Sequence, residues 1–488
     1  MSAEGEIDSA SMTTDSTPPC ANCQRLQAEV DALRAQLAAL QAAVEQLQRQ
    51  LAAARKDSSN SSKPPSSDIV KPPKPAPPPG QARRKPGGQP GHASHRRVPF
   101  PPEMLASVPS DYLLGACPSC GGPLLLTDDA EPIVAQRVEI AAVPLEIHEH
   151  RSHPGWCPCC QKTCYAPLPL SIERGGLAGP RLTTVIAYLK GACHASYSTI
   201  RKFVRDVIGL TISRGQLAKI VAKVSRALER PYAELLGDLP DQAVLNVDET
   251  GHKHNGQRHW TWCFRAGLYT LFKIDPTRSG DVLIEVLGTE FDGVLGCDYF
   301  SAYRRYHREF GAVLQFCLAH LIRDVKYLTT LPDPRDRAYG EALRESLRDL
   351  FAVIHRREEW TEAEFRRRLE AARDRVLWRG TWDVPAARAS GNLAARLEAH
   401  GASYFRFITE PGVGPTNNLA EQAIRFVVID RLITQGTRSE RGKRWCERIG
   451  TVMATCSQQG RSVFAYLEAA VTAWFAGEEA PSLRPRES

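Results

Sequence analysis

At 488 residues the chain exceeds one ordinary hydrophobic core, so two or three folded units with tails are expected. Lys and Arg number 62 against 55 Asp and Glu, a net charge of +7 with pI near 8.7, which favours a polyanionic partner. No apolar stretch approaches the roughly 20 residues of a membrane span, and the polar, acidic start Met1 to Asp15 lacks the features of a secretory leader, so a cytoplasmic protein with no membrane partner is expected. The 14 cysteines are too few for a disulfide scaffold of this length, and their Cys-x-x-Cys pairs point to zinc in a reducing compartment.

Leu26, Leu33, Leu40 and Leu47 share one heptad position, and Val30, Leu37, Val44 and Leu51 share the other. That is the seam of a short parallel coiled coil, and residues 1–56 are assigned to a leucine zipper behind a polar tail, with a homodimer expected. An amphipathic helix packed on its own domain is the rival explanation. Cys20 and Cys23 cannot complete a tetrahedral zinc site unless two chains each supply a pair. Residues 57–100 hold eleven prolines and eight Lys or Arg against two Asp. Such a segment is a linker, either a solvated spacer or a DNA-tracking strand whose contacts are Arg83, Arg84 and Lys85.

Two cysteine knuckles follow, Cys117 with Cys120 and Cys157 with Cys160, inside an expected β-rich module at 101–175. Paired knuckles of this kind hold structural Zn²⁺ in a ribbon, because tight turns present thiolates at tetrahedral angles. The 36 residues between the knuckles exceed the usual spacing, so Cys159, Cys164, His148, His150 and His153 stay open as substitute ligands. Residues 176–238 read as short helices. Ser213 caps a helix from Arg214 to Leu228 that carries Arg214, Gln216, Lys219 and Lys223 outward, as in a helix-turn-helix or an ordinary helical hairpin. In the first case Arg214 and Gln216 would approach base edges.

Beyond Pro240 the runs 243–248, 259–266 and 269–274 read as strands, 281–287 as a crossover helix, and 294–298 and 312–316 as further strands. This is a ribonuclease-H-like α/β outline in which Asp248 and Asp298 lie at the ends of neighbouring central strands. Glu421 sits early in a helix opened by Asn417 and Asn418. Carboxylates so placed are the hard oxygen ligands that hold two Mg²⁺ or Mn²⁺ ions for phosphodiester chemistry. Each acid also has an ordinary rival role, a strand-end turn for Asp248 and Asp298 and a capping box for Glu421. The 123 residues from Asp298 to Glu421 require a helical insertion, about 328–410, within a catalytic domain 239–476; 477–488 is a tail. In the insertion Thr361 and Glu364 have the capping-box pattern, Arg366, Arg367 and Arg368 read as solvated surface, and Trp378 and Trp382 as core rather than as base-stacking platforms. Arg425 and Arg431, near Glu421, are candidate phosphate ligands.

The zipper, the segments Asn60–Asp68 and Arg84–His92, the knuckles, Gly175–Pro180, Asp248-Glu249-Thr250, Asp298–Tyr303, the pair Cys317 and His320, and Asn417–Arg425 together resemble the transposases of the insertion-sequence-sixty-six group, members of the DDE transposase class. The resemblance implies that Asp248, Asp298 and Glu421 are the catalytic triad, that a helical insertion interrupts the fold, and that element ends and target DNA are cut and joined; the sequence leaves open whether companion transposition proteins are needed as further partners. Gln422 stands where the family often has Arg, and Asp430–Gly436 departs from its Lys-Asn-bearing sequence. The pair Cys317 and His320 matches the family, but with no second half-site His320 is expected to orient the active site rather than bind zinc.

Overall fold

The computed structural model describes residues 20–54, 101–104, 145–157, 159, 162–165 and 167–485. The linker 57–100 with Arg83, Arg84 and Lys85 lies outside these, as do Cys117, Cys120 and Cys160 and the side chain of Cys157. The chain divides into two compact units, Pro73–Leu168 with Tyr197–Leu217, and the remainder.

α1 (Ala21–Ala54) is one uninterrupted helix whose eight seam residues are all exposed, from 41% at Val30 to 65% at Leu40. In the smaller unit, β1 (Pro154–Cys157) and β2 (Lys162–Tyr165) pair antiparallel with Cys157 opposite Lys162. His148, His150 and His153 lie in the irregular stretch before β1.

α2 (Leu170–Gly175) and α3 (Pro180–Gly191) belong to the larger unit. α4 (Tyr197–Phe203), in the smaller one, runs into a π-turn that stops at Gly209, whose φ of 83° only glycine adopts without strain. α5 (Arg214–Ala227) opens as expected, with Ser213 Oγ accepting from Gln216 N at 3.1 Å. Arg214 and Lys219 are exposed and Gln216 is half-buried. The outward placement of Lys223 needs correction: it donates to the Gly175 carbonyl at 2.8 Å, because its long stem reaches back along the helix face that α2 covers. α6 (Glu229–Gly237) leads to the sheet, and Tyr232 donates to the Phe272 carbonyl at 3.0 Å.

The sheet has order β5-β4-β3-β6-β7: β3 (Val244–His254), β4 (Gln257–Arg265) and β5 (Thr270–Asp275) are antiparallel, while β6 (Val294–Cys297) and β7 (Val313–Phe316) run parallel to β3. Asn255 and Gly256, with φ of 52° and 78°, form the two-residue turn that their sequence signals. α7 (Asp281–Leu287) is the crossover. α8 (Ser301–Phe310) brings Tyr303 against Trp262 on one face. On the other face, Cys263 and Phe272 pack with Ala420, Ile424 and Val427 of a later helix. Gly296 is required by close approach, since a Cβ there would meet Asn246 Oδ1 at 2.5 Å.

α9 (Leu318–Leu328) leads into the insertion, formed by α10 (Pro334–His355), α11 (Glu362–Thr381) and α12 (Arg388–His400). Leu343, Leu347, Leu350, Leu369, Val376 and Leu397 are its core, and Thr361 caps α11 through Glu364 N. Arg366, Arg367 and Arg368 pair with Glu370 and Glu364 on the solvated face, as expected. Trp378 and Trp382 are not core: they are 50% and 65% exposed and stack on each other, because the smaller Leu369, Ala372 and Val376 already fill the buried face.

α13 (Asn418–Thr434) returns to the sheet, followed by α14 (Glu440–Gln458) and α15 (Val463–Ala476). α14 covers the outer edge of β5. Glu447, Thr451 and Thr455, four residues apart, accept from the amides of Ile274, Phe272 and Thr270 at 2.8, 3.1 and 3.2 Å. Four helical residues rise about 6 Å, nearly the rise of two strand residues, so the side chains form a ladder that satisfies an otherwise open edge.

Candidate active site

The parallel ladder between β3 and β6 pairs Val244 with Val294, Leu245 with Leu295 and Asn246 with Gly296. The same offset carried two residues further brings Asp248 level with Asp298, just past the last paired residues, and the charge of Asp298 acts on Asp248 and on Glu249 alike. Asp298 follows the end of β6 as expected, but Asp248 is not at a strand end. β3 continues to His254 because β4 keeps pairing with it beyond Asn246, joined at its end by a bridge from His254 to Thr437. The acid thus sits where the sheet narrows from a parallel ladder to a hairpin.

Backbone amides fix both carboxylates: Glu249 N donates to Asp248 Oδ1 and Phe300 N to Asp298 Oδ1, each at 2.9 Å. Burial drives the pKa of Asp248 well above the usual carboxylate range, and the charges of Glu249, Asp298 and Glu421 add to it. Burial likewise raises Asp298, against the pull of Arg278 and Arg323. Burial and three neighbouring carboxylates outweigh the single amide bond from Glu249, and a divalent cation held by oxygen ligands would offset them.

Glu421 lies in the first turn of α13. Asn417, 1% exposed, donates from Nδ2 to the Val247 carbonyl at 2.8 Å, and its own amide donates to Cys317 Sγ at 3.1 Å. The carboxylate of Glu421 lies 3.5 Å from His320 Nδ1 and 3.4 Å from Arg323 Nη2, against side chains rather than in a capping box. Cys317, His320 and Glu421 bring donor atoms within 4.8 Å of one another, a set of metal-ligand types among the described residues. Burial, then Arg323 and Arg396, push His320 down to about 3, so its imidazole is neutral beside Glu421.

Arg425 is exposed one turn beyond Glu421. Arg431 instead ties α13 to β3, its Nη1 donating to Thr250 Oγ1 at 2.9 Å and to the Gly251 carbonyl. Arg214 and Gln216 open α5 in the smaller unit, and Lys219 follows them on the same helix, in the larger.

Four participants escape a reading of the sequence: Glu249, Arg278, Tyr303 and Asn417. Glu249 points to the opposite face from Asp248, where Tyr303 Oη and Arg278 hold it, and burial raises it to about 7. The doublet Asp248-Glu249 was the available signal, since alternate strand residues face opposite sides. Arg278 has no local signal, because its partner is 29 residues away.

A mixed α/β domain with a central sheet, carrying clustered acids past its parallel strands, defines the class. The family model described as the transposase IS66 family matches residues 175–444, and the chain belongs to that family. A model for a family of unknown function (DUF6444) matches residues 15–98. No curated protein matches the chain.

Proposed function

We propose that this transposase binds the inverted-repeat ends of its insertion sequence and catalyses metal-dependent strand cleavage and strand transfer. The domain 239–476, ribonuclease-H-like and interrupted at about 328–410, carries Asp248, Asp298 and Glu421 as its catalytic acids. The observation that supports this most is the register that sets Asp248 beside Asp298, with Glu421 on a helix bonded to the same strand.

The three acids would hold two Mg²⁺ or Mn²⁺ ions, which when bound supply Lewis-acid stabilisation of the attacking and leaving oxygens of an in-line displacement. The protein's part is positional. Asn417 keeps α13 against β3, so the charge of Glu421 acts on Asp248. Arg323 donates from Nη2 to the Glu421 carboxylate, and the neutral His320 ring lies beside it. Exposed Arg425 is available to a DNA phosphate, while Arg431 steadies the strand beyond Asp248.

Other modules supply recognition. Cys117, Cys120, Cys157 and Cys160 would hold structural Zn²⁺, and the β1–β2 hairpin suits the second knuckle. Arg214, Gln216 and Lys219, together with Arg83, Arg84 and Lys85, contact element ends. The exposed seam of α1 pairs two chains. The protein works on DNA in the cytoplasm.

Asp248→Asn abolishes Mg²⁺-dependent cleavage while sparing end binding; undiminished cleavage would sink the proposal. A strand-transfer assay separates a transposase from a nuclease that cuts without joining.

A further inference from the structure

Arg278, in the loop between β5 and α7, donates from Nε to Glu249 Oε1 at 2.7 Å, with Nη2 2.5 Å from the same oxygen. Its guanidinium lies 3.8 Å from the centroid of the Phe300 ring and 4.8 Å from that of Trp260. Trp260 carries a second guanidinium, that of Arg258, at 4.6 Å. Register puts Arg258 and Trp260 on the face of the sheet that Glu249 occupies. The run Arg258, Trp260, Arg278, Phe300 therefore alternates cation and ring, and it ends at Asp298, whose Oδ1 accepts from Phe300 N.

Charge balance explains part of this. The Glu249 side chain is 1% exposed and needs a cation. It does not explain why the Arg278 side chain remains 33% exposed between two rings, nor why exposed Arg258 stacks on Trp260 with no carboxylate partner among the described residues. Stacking fixes the plane of a guanidinium, the form in which arginine meets phosphate; Arg258 keeps its N–H edge free of a carboxylate among the described residues, and Arg278, whose Nε and Nη2 face Glu249, keeps Nη1. Cations interleaved with rings are also what a nucleic-acid strand meets in a binding groove.

We infer that Arg258, Trp260, Arg278 and Phe300 form a track for the sugar-phosphate backbone of the DNA strand beside the bond that is broken, with Arg278 on a phosphate adjacent to the scissile one and Arg258 on one further along. The position of the scissile bond rests on the assignment of Asp248, Asp298 and Glu421 above; the track itself is independently measurable.

The test uses the full chain, the exposed-site variant Arg258→Ala, and the double variant Glu249→Gln/Arg278→Gln, which removes both charges of the buried pair together. The probe is a fluorescently labelled duplex of the DNA bordering the gene, with one neutral methylphosphonate moved along the backbone. Binding is read by anisotropy without divalent ions, and cleavage with Mg²⁺. The unaltered protein is expected to lose about tenfold in affinity at two backbone positions, the worth of roughly 1.4 kcal/mol each. Each variant should become indifferent at one of them, with a salt dependence shallower by about one unit of slope per arginine removed. Variants that keep the full methylphosphonate pattern overturn the track, even if cleavage proceeds. Loss of the pattern in a protein that never cleaves would support the track and count against the active-site assignment. Should the double variant fail to fold, Arg258→Ala decides alone through its own position.

Discussion

Asn417 donates from Nδ2 to the carbonyl of Val247 at 2.8 Å, and by that bond the helix bearing Glu421 is fixed to the residue before Asp248. Its backbone amide meets Cys317 Sγ, so β3, the start of α9 and α13 converge on one buried residue. Asn417→Ala should cost about 1–3 kcal/mol, the range for a buried hydrogen bond whose partner is left unpaired. Asn417→Asp should rescue nothing, because a carboxylate cannot donate. Urea unfolding gives the stability, and single-turnover cleavage should fall further than DNA affinity. A destabilised variant that cleaves at the normal rate would mean other contacts hold Glu421.

The acids themselves should respond to metal. Removing the charge of Asp248 relieves repulsion from Glu249, Asp298 and Glu421. Asp248→Asn is therefore expected to melt higher than the unaltered protein in chelator, whereas added Mg²⁺ should raise the midpoint of the unaltered protein more than that of the variant. Thermal melts across a MgCl₂ series measure both, and an equal Mg²⁺ response in the two proteins would count against metal at Asp248.

Much of this site was legible because it follows local rules. Alternation around Leu245 and Val247 marks a strand, Asn255-Gly256 marks its turn, and Thr361 three residues before Glu364 marks a helix start. What was not legible depends on pairing across distance. β3 runs past Asp248 through polar Thr250, His252 and His254, whose side chains meet Arg431 and Thr437, about 180 residues on, and no local apolar pattern announces them. The partnership of Glu249 with Arg278 and the bond from Asn417 to Val247 are hidden for the same reason.

The tryptophans of the insertion give a check on the corrected assignment. Trp378 and Trp382 stack on each other at 6.2 Å with half or more of their surface open. Trp378→Ser and Trp382→Ser should each change stability by about 0.5 kcal/mol or less, the range for surface positions, against 3–5 kcal/mol for a buried aromatic cut back to a small residue. Chemical denaturation distinguishes the two readily, and a loss in the larger range would return these rings to a core.

Acid should weaken the junction of β3, β4 and the end of α13. Burial, then the charges of His259 on β4, His254 on β3 and Arg431 on α13, lower the pKa of His252 from 6.5 to about 4. Its Nε2 lies 3.1 Å from Thr437 Oγ1. A folded-state value below the free one favours the neutral ring. The stability it contributes is full above pH 6.5 and is lost as pH falls through about 4, by roughly 3 kcal/mol at most. His252→Gln should flatten this limb of the stability profile, and an unchanged slope between pH 6.5 and 4 would assign the acid sensitivity elsewhere.

The ladder from α14 to β5 separates geometry from charge. Thr451 Oγ1 is the acceptor for Phe272 N, and Glu447 Oε1 for Ile274 N. Thr451→Val keeps the shape and deletes the acceptor, leaving a buried amide unpaired, so a cost of about 1–3 kcal/mol is expected. Glu447→Gln keeps an acceptor oxygen and removes a charge that burial already disfavours, its carboxyl being raised above the ordinary range. That variant should be close to neutral, although Arg444 loses a partner at 3.0 Å. Hydrogen exchange at Phe272 and Ile274 makes the comparison local: faster exchange at Phe272 in Thr451→Val, with little change at Ile274 in Glu447→Gln, is the expected result. If Glu447→Gln were the more damaging of the two, the edge of β5 would depend on the ion pair with Arg444 rather than on side chains standing in for a missing strand.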